Sequence, residues 1–182
     1  MDFRIDDHGF FWVAQARLPS WAGFLDRSGA YGGQGPSEHS DGTVEVIFAP
    51  EGRDTSPLSE NEEALVQWFC DHEPDVSEAV KAAIFRTYAD WLDSGSASDG
   101  DEAEFMPALR TVDDLKSLIG LYSINLHHID SDGIPYIGFE FGCTWDQEHG
   151  LGVLMHGTRM VEIGGGDTAG LLWIAQQDAD TR

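Results

Sequence analysis

The sequence predicts a single α+β domain in which an antiparallel sheet packs against two to four helices. The chain has 182 residues, of which 41% are hydrophobic and 11% aromatic, and this composition is sufficient for one hydrophobic core. Short segments rich in aromatic and β-branched residues lie towards both ends, and segments with helical periodicity lie between them. Strands and helices that are segregated along a chain are typical of the α+β class. We therefore expect residues 1–182 to form one domain with flexible loops at 28–42 and 93–104.

Three apolar segments in the N-terminal third predict short strands: Phe10–Val13, Trp21–Leu25 and Thr43–Phe48. The segment 28–42 is rich in glycine, which indicates a loop. We favour a connecting loop over a loop that binds a ligand or partner.

Two helices are predicted in the middle of the chain. Ser59 and Glu62 have the spacing of a capping box, which marks the start of a helix. The same spacing recurs in Asp75 and Glu78, directly after Pro74, and predicts the start of a second helix. Thr111 and Asp114 predict a third, short helix in the same way. Apolar residues at helical intervals predict the core faces of the first two: Leu65, Trp68, Phe69, Val76, Val80, Ile84, Tyr88 and Trp91 or Leu92.

The C-terminal third predicts an antiparallel meander of four strands: Leu121–Asp130, Ile134–Trp145, Leu151–His156 and Arg159–Ile163. Asp132-Gly133 between the first two is a strong hairpin signal, because both residues tolerate a positive φ. If that dipeptide forms the turn, Leu126 pairs with Phe139 and Ile124 with Phe141.

The same register separates the two adjacent histidines. His128 is expected in the core and His127 at the surface, beside Asn125 and Glu140. Neighbouring residues of a strand point to opposite faces, so the two rings are not expected to bind one metal ion together.

A glycine run, Gly164–Gly166, precedes the last helix. Such a run can bind phosphate through free backbone amides. Here we expect Asp167 to be the N-cap of that helix, so that its carboxylate already accepts from those amides. No nucleotide site is predicted, because the run lacks the patterns of a P-loop and of a dinucleotide-binding turn.

The charge of the chain restricts its partners. Asp and Glu number 33 and Lys and Arg number 10, which gives a formal net charge of −23. Nucleic-acid phosphates and anionic membranes repel such a protein, whereas a basic protein is attracted. The first residues lack the apolar run of a secretion signal, and Cys70 and Cys143 form no paired motif, so we expect a cytoplasmic protein with reduced thiols.

Two acidic segments provide candidate binding residues. The turn after the second strand of the meander gathers Trp145, Asp146, Glu148 and His149, with Glu140 nearby. We favour a structural turn first, a partner-binding edge second, and a metal or catalytic site third. The loop at 93–104 adds the candidates Asp99, Asp101, Glu102 and Glu104. We assign no catalytic residue, metal ligand or cofactor.

The block from Tyr136 to Asp167 resembles the C-terminal signature of a bacterial family of unknown function. The matching segments are Gly138–Phe141, Cys143–Asp146, Glu148–Val153 and Val161–Gly164. The resemblance implies no activity. Small acidic proteins of this kind are also similar to bacterial immunity proteins that neutralise toxins, which is an analogy at the level of the whole chain.

Three functions are compatible with these features. The first is a non-catalytic module that binds a basic protein, with an immunity protein against a basic toxin as its sharpest form. The second is a metal-dependent, hydrolase-like enzyme that uses Asp146, Glu148 and His149. The third is an interaction domain whose charge serves only solubility. We favour the first, because established catalytic patterns are absent from the sequence.

Overall fold

A computed structural model describes residues 1–26, 39–93 and 106–181. Within these ranges, seven strands form one sheet in which spatial order follows chain order. Every neighbouring pair is antiparallel except β3 and β4, which are parallel. This arrangement confirms the α+β class. The strands are β1 (Arg4–Ile5), β2 (Trp12–Arg17), β3 (Thr43–Phe48), β4 (Ile119–Ser131), β5 (Ile134–Cys143), β6 (Leu151–His156) and β7 (Arg159–Gly164).

The parallel pair requires a crossover connection, and a long helix, α1 (Glu60–Asp93), provides it. This helix packs on one face of the sheet. Its buried residues Val80, Ile84 and Tyr88 belong to the same core cluster as Ile124 and Phe139 of the central strands. No helix in the described ranges is long and apolar enough to cross a membrane.

The prediction of two separate helices around Pro74 is wrong, because α1 runs through the proline without interruption. Proline lacks the N–H that would bond to the carbonyl four residues earlier, which normally breaks a helix. Here the buried residues Phe69, Val76, Val80 and Ile84 form one stripe that continues in phase across Pro74. Burial of that stripe offsets the lost hydrogen bond, and no second capping box forms at residue 75.

The first predicted capping box is confirmed. The Ser59 N–H donates to Glu62 Oε2 at 2.7 Å, and the Glu62 N–H donates to Ser59 Oγ at 3.4 Å. Arg53 Nε also donates to Glu62 Oε1 at 2.6 Å, and this bond is the main reason that the pKa of Glu62 falls to about 2. The predicted box of Thr111 and Asp114 is also confirmed, at the start of a 3₁₀ helix at Val112–Ser117.

The N-terminal third differs from its prediction at one of three segments. Strands are confirmed around Trp12 and at Thr43–Phe48, but Trp21–Leu25 does not form a strand. A 3₁₀ helix at Pro19–Trp21 replaces it, followed by a single bridge between Leu25 and His39. The Trp21 indole is buried, lies 5.2 Å from the Phe141 ring of β5 and donates to Ser77 Oγ of α1 at 2.8 Å, so this segment packs between the helix and the sheet.

The predicted hairpin at Asp132-Gly133 is confirmed, since both residues have positive φ, 55° and 73°. The predicted register beyond it is wrong by two residues. A bulge between Leu126 and Asp130 pairs Leu126 with Ile137 and Ile124 with Phe139. From Ser123 to Leu126 this shift of two keeps each side chain on its predicted face, so the apolar face is preserved there, and a second irregularity between Leu121 and Ser123 changes the register by one more residue.

The opposite face of the sheet is covered by the C-terminal segment. We call residues 164–170 the glycine strap; they include a 3₁₀ helix at Gly166–Ala169 and lead into α2 (Leu172–Asp180). A β carbon on Gly138 would lie 1.8 Å from the Ala169 carbonyl oxygen, and one on Gly152 would lie 2.4 Å from that of Gly165. The glycines therefore allow two layers of backbone to approach each other closely.

Asp167 does not cap the last helix, contrary to the prediction. It lies inside the 3₁₀ helix of the strap, and the N-cap of α2 is Leu171, which makes no side-chain cap bond. The N–H of Leu172 instead donates to Glu51 Oε2 at 2.9 Å. A carboxylate distant in sequence thus replaces the local cap.

The expected positions of the two histidines are also corrected. His127 lies on the predicted face, but that face is covered by the strap, so the ring is 0% exposed rather than at the surface. Its Nε2 donates to the Ala169 carbonyl at 3.1 Å. His128 is half-buried rather than in the core, and lies beside Gly52.

The two predicted flexible loops lie largely outside the residues that the structure describes. Residues 27–38 and 94–105 are not described. The described end of the first loop is held by backbone hydrogen bonds: the Leu18 N–H donates to Gly42 O at 2.8 Å, and the Gly23 N–H donates to Ser40 O at 2.8 Å.

Candidate binding site

A hollow of about 680 Å³ lies between the C-terminal end of α1, the turn after β5 and the glycine strap. We call it the tryptophan hollow. Two indoles and one carboxylate give it its chemical character, and none of its lining residues in the described ranges is basic. The lining residues are Trp91, Met106, Thr144, Trp145, Asp146, Gln147, Gly150, Leu151, Gly164 and Gly165.

The turn after β5 is organised by Asp146. Its Oδ1 accepts the backbone N–H of His149 at 2.9 Å and lies 3.1 Å from Nδ1 of the His149 ring. Its carbonyl accepts the N–H of Gly150 at 3.0 Å. The carboxylate is therefore held in one orientation while its side chain stays 39% exposed. Asp146 therefore both stabilises the turn and presents an accessible hydrogen-bond acceptor.

Trp145 is held by the aromatic end of α1. Its ring contacts Tyr88 edge to face, with centroids 5.1 Å apart, and meets Trp91 at 6.3 Å and an interplanar angle of 59°. Tyr88 is buried and its hydroxyl donates to the Pro107 carbonyl at 2.8 Å. Burial raises the pKa of Tyr88 to about 12. The side of the Trp145 ring that faces the core is thus packed against the buried Tyr88.

Several side chains of the turn are of types that take part in catalysis. The Cys143 thiol is 0% exposed and donates to the Asp146 carbonyl at 3.3 Å, so it is not presented to a substrate. Asp146 and His149 form a contact that is able to move a proton, and Glu148 is exposed beside them. Among the described residues, no three His, Cys, Asp or Glu side chains are grouped to hold a metal ion.

Glu140 lies apart from the tryptophan hollow. It points to the sheet face opposite α1, where Ser123 Oγ donates to its Oε2 at 2.8 Å. The backbone of Gly166 separates it from the turn, since a β carbon there would lie 2.8 Å from His149 O and 3.6 Å from Glu140 Oε1. Burial raises the pKa of Glu140, and the nearby Asp167 raises it further, against the bond from Ser123.

Glu140 is one member of a polar row that crosses four strands. The register places Gln15, Glu45, Ser123 and Glu140 side by side on β2, β3, β4 and β5. These residues form the floor of a second hollow of about 590 Å³. No local pattern indicates this row, because it depends on the parallel pairing of β3 with β4.

Glu140→Gln is expected to stabilise the fold at pH 7, by up to about 1 kcal/mol, because it removes a half-buried negative charge and keeps an acceptor for Ser123. Since burial raises the pKa of the native carboxyl, the difference in stability between the two proteins should shrink as the pH falls towards 4.5. Urea denaturation at pH 7 and at pH 4.5 measures this difference. A variant less stable than the native protein at pH 7 would show that Glu140 has a stabilising partner.

The remaining predicted site residues belong to the segment 93–104. Asp99, Asp101, Glu102 and Glu104 lie outside the described residues. Sequence reasoning missed Trp91, which it assigned to the helix core, and Met106. One signal for Trp91 is present in the sequence: it lies in the last turn of α1 together with the acidic residues Asp90 and Asp93.

Comparisons with known proteins place the chain in a family. Residues 31–171 match the family model described as Domain of unknown function (DUF6985), and since this match covers most of the chain, the protein belongs to that family. All lining residues of the tryptophan hollow fall within the match. No curated protein and no solved structure matched the chain.

Proposed function

We propose that this member of the DUF6985 family is a non-catalytic module that binds a basic protein, and that the tryptophan hollow is part of its contact surface. The observation that carries the proposal is a carboxylate and two indoles in one hollow on a chain with a net charge of −23. Aromatic residues in a partly desolvated pocket supply most of the energy of typical protein interfaces. The charge adds a faster encounter with cationic partners.

The ion pairs within the fold support the proposal that the negative charge of the chain serves to attract a cationic partner. Six Lys or Arg side chains of the described residues already pair with a carboxylate of the same chain: Arg4, Arg17, Arg53, Lys81, Lys116 and Arg159. With only 10 such residues in the sequence, most of the 33 carboxylates lack an internal cation. Their charge is compensated from outside, by salt or by a basic partner.

The most specific version of the proposal is that the chain is an immunity protein against a basic toxin. Such a protein binds the toxin tightly and blocks its active site, and an acidic surface suits a toxin that acts on nucleic acid, whose own active site is positively charged. This form predicts that one equivalent of the chain abolishes the activity of its partner.

The test uses a basic protein encoded beside this gene, titrated calorimetrically with the full chain. We expect binding at 150 mM salt that weakens as salt rises, because screening reduces the attraction. Asp146→Lys should weaken binding by about tenfold or more, since it places a cation in the contact surface. The matched control, Asp180→Lys, reverses an exposed charge at the end of α2 and should change affinity about twofold or less.

Three results would contradict the proposal. The first is no binding by the neighbouring basic protein at 150 mM salt. The second is an equal loss of affinity in both charge-reversal variants, which would show that only net charge matters and would favour a role in solubility. The third is hydrolytic activity of the chain alone that disappears in His149→Ala.

A further inference from the structure

We propose that the tryptophan hollow is a receptor for an arginine side chain of the partner, with the guanidinium stacked on an indole and hydrogen-bonded to Asp146. This inference rests on the proposed function and names the group that the hollow recognises. It concerns only described residues: Trp91, Trp145, Asp146, Gln147 and the last turn of α1.

The aromatic wall of the hollow has a shape that suits a flat cation. The indoles of Trp91 and Trp145 meet at 59° with centroids 6.3 Å apart, so they form a corner and not a closed stack. Both line the hollow. A cation within about 6 Å of an indole face is attracted by the ring quadrupole, and tryptophan gives the strongest attraction of the aromatic residues.

The hollow also contains a carboxylate acceptor that is held in place. Asp146 is oriented by the backbone N–H of His149 at 2.9 Å, and its side chain remains 39% exposed. A carboxylate held in place loses little conformational entropy when it binds. Its Oδ2 keeps acceptor capacity beyond the contact with the His149 ring at 3.2 Å, so that it is able to receive an N–H from a ligand.

The charge beside Trp91 also favours a cation. Asp90 and Asp93 flank Trp91 in the sequence, and the last turn of α1 contains no basic residue. Neither carboxylate lines the hollow itself. Their negative potential adds to that of Asp146 and attracts a cation towards this end of α1.

Arginine fits these three features better than lysine. Its planar guanidinium stacks on an aromatic face and donates several N–H groups in its own plane, whereas the lysine ammonium is compact and more strongly hydrated. Stacking on an indole leaves the N–H groups at the edge of the guanidinium free to donate, and Asp146 and the Gln147 amide oxygen, which line the same hollow, are the proposed acceptors. The volume of about 680 Å³ is large enough for the side chain and adjoining backbone.

The test is a titration of the full chain with blocked Gly-Arg-Gly, Gly-Lys-Gly and Gly-citrulline-Gly peptides, followed by NMR of the assigned tryptophan indole N–H signals. Citrulline keeps the shape of arginine and removes its charge. We expect the arginine peptide to shift the Trp91 and Trp145 signals and to bind about threefold or more tighter than the lysine peptide and about tenfold tighter than the citrulline peptide.

Three variants locate the site. Asp146→Asn should weaken the arginine peptide about five- to tenfold, while the matched control Asp180→Asn should change it less than about twofold. Trp145→Phe keeps a ring against Tyr88 and should weaken binding by a smaller factor, because phenylalanine has the weaker quadrupole. An unchanged thermal midpoint shows that each variant is folded.

Several outcomes would overturn the inference: equal binding of arginine and citrulline, equal binding of arginine and lysine, or equal effects of Asp146→Asn and Asp180→Asn. Failure here is distinguishable from failure of the proposed function. If a basic protein binds but Asp146→Asn behaves like its control, the partner docks without this receptor. If the peptide binds as expected but the neighbouring basic protein does not, the receptor stands and the proposed partner is wrong.

Discussion

Gly138→Ala is expected to destabilise the protein by about 3 kcal/mol or more, the largest single-residue effect that the structure predicts. The new β carbon would lie 1.8 Å from the Ala169 carbonyl oxygen and 2.5 Å from its carbon. Both are backbone atoms, so no rotamer change relieves the contact. The glycine strap must lift from the sheet, and the bond from His127 to the Ala169 carbonyl is then lost.

Urea denaturation measures this effect, and Gly170→Ala provides the matched control. Gly170 belongs to the same strap, but a β carbon there has its nearest contact at 3.8 Å and the backbone φ is −98°, which alanine adopts without strain. We expect a change within about 0.5 kcal/mol. A Gly138→Ala protein as stable as the control would show that the strap does not rest on β5.

His127 is expected to make the fold sensitive to acid. Burial is the main reason that its pKa falls from 6.5 to about 4, and the nearby His128 lowers it further, against the bond to Ala169 and the charge of Glu51. Between these two pH values the unfolded chain binds a proton that the folded chain does not bind. Above pH 6.5 the neutral ring of His127 leaves the free energy of unfolding at its full value. As the pH falls from 6.5 towards 4, that free energy decreases by about 3 kcal/mol in all.

The free energy of unfolding, measured from pH 7.5 to pH 4 for the native protein and for His127→Gln, isolates this contribution. Glutamine keeps an N–H donor for the Ala169 carbonyl but does not titrate, so its curve should be flatter by about 3 kcal/mol over this range. His8→Gln, at an exposed position beside Asp6, should change the curve much less than His127→Gln does. Parallel curves for the native protein and His127→Gln would contradict the burial of this ring.

Local patterns predicted most of the secondary structure. The capping boxes at Ser59 and Thr111 and the turn at Asp132-Gly133 were predicted correctly, because each depends on hydrogen bonds or dihedral angles within four residues. The break at Pro74 was predicted wrongly for a related reason. The local preference of proline is outweighed by the burial of a stripe that packs against strands distant in sequence.

The candidate site was predicted only in part. The turn from Trp145 to His149 was identified from its residue types, but its relation to Trp91 and Met106 depends on where α1 ends above the sheet. Glu140 was grouped with the turn because it is near in sequence, yet the strap lies between them. Alternation along a strand predicts which face a side chain takes, but not what covers that face.

The sequence by itself determined the fold class, the strands of the meander and the negative net charge, because hydrophobic periodicity, turn residues and net charge are properties of neighbouring residues or of composition. Only the tertiary structure decided that the glycine strap lies against Gly138 and Gly152 and that His127 is buried beneath Ala169. These contacts join residues 13 to 42 positions apart in the chain, so no local pattern specifies them. The tertiary structure likewise brings Trp91 of α1 to the turn of Asp146, where both residues line one hollow.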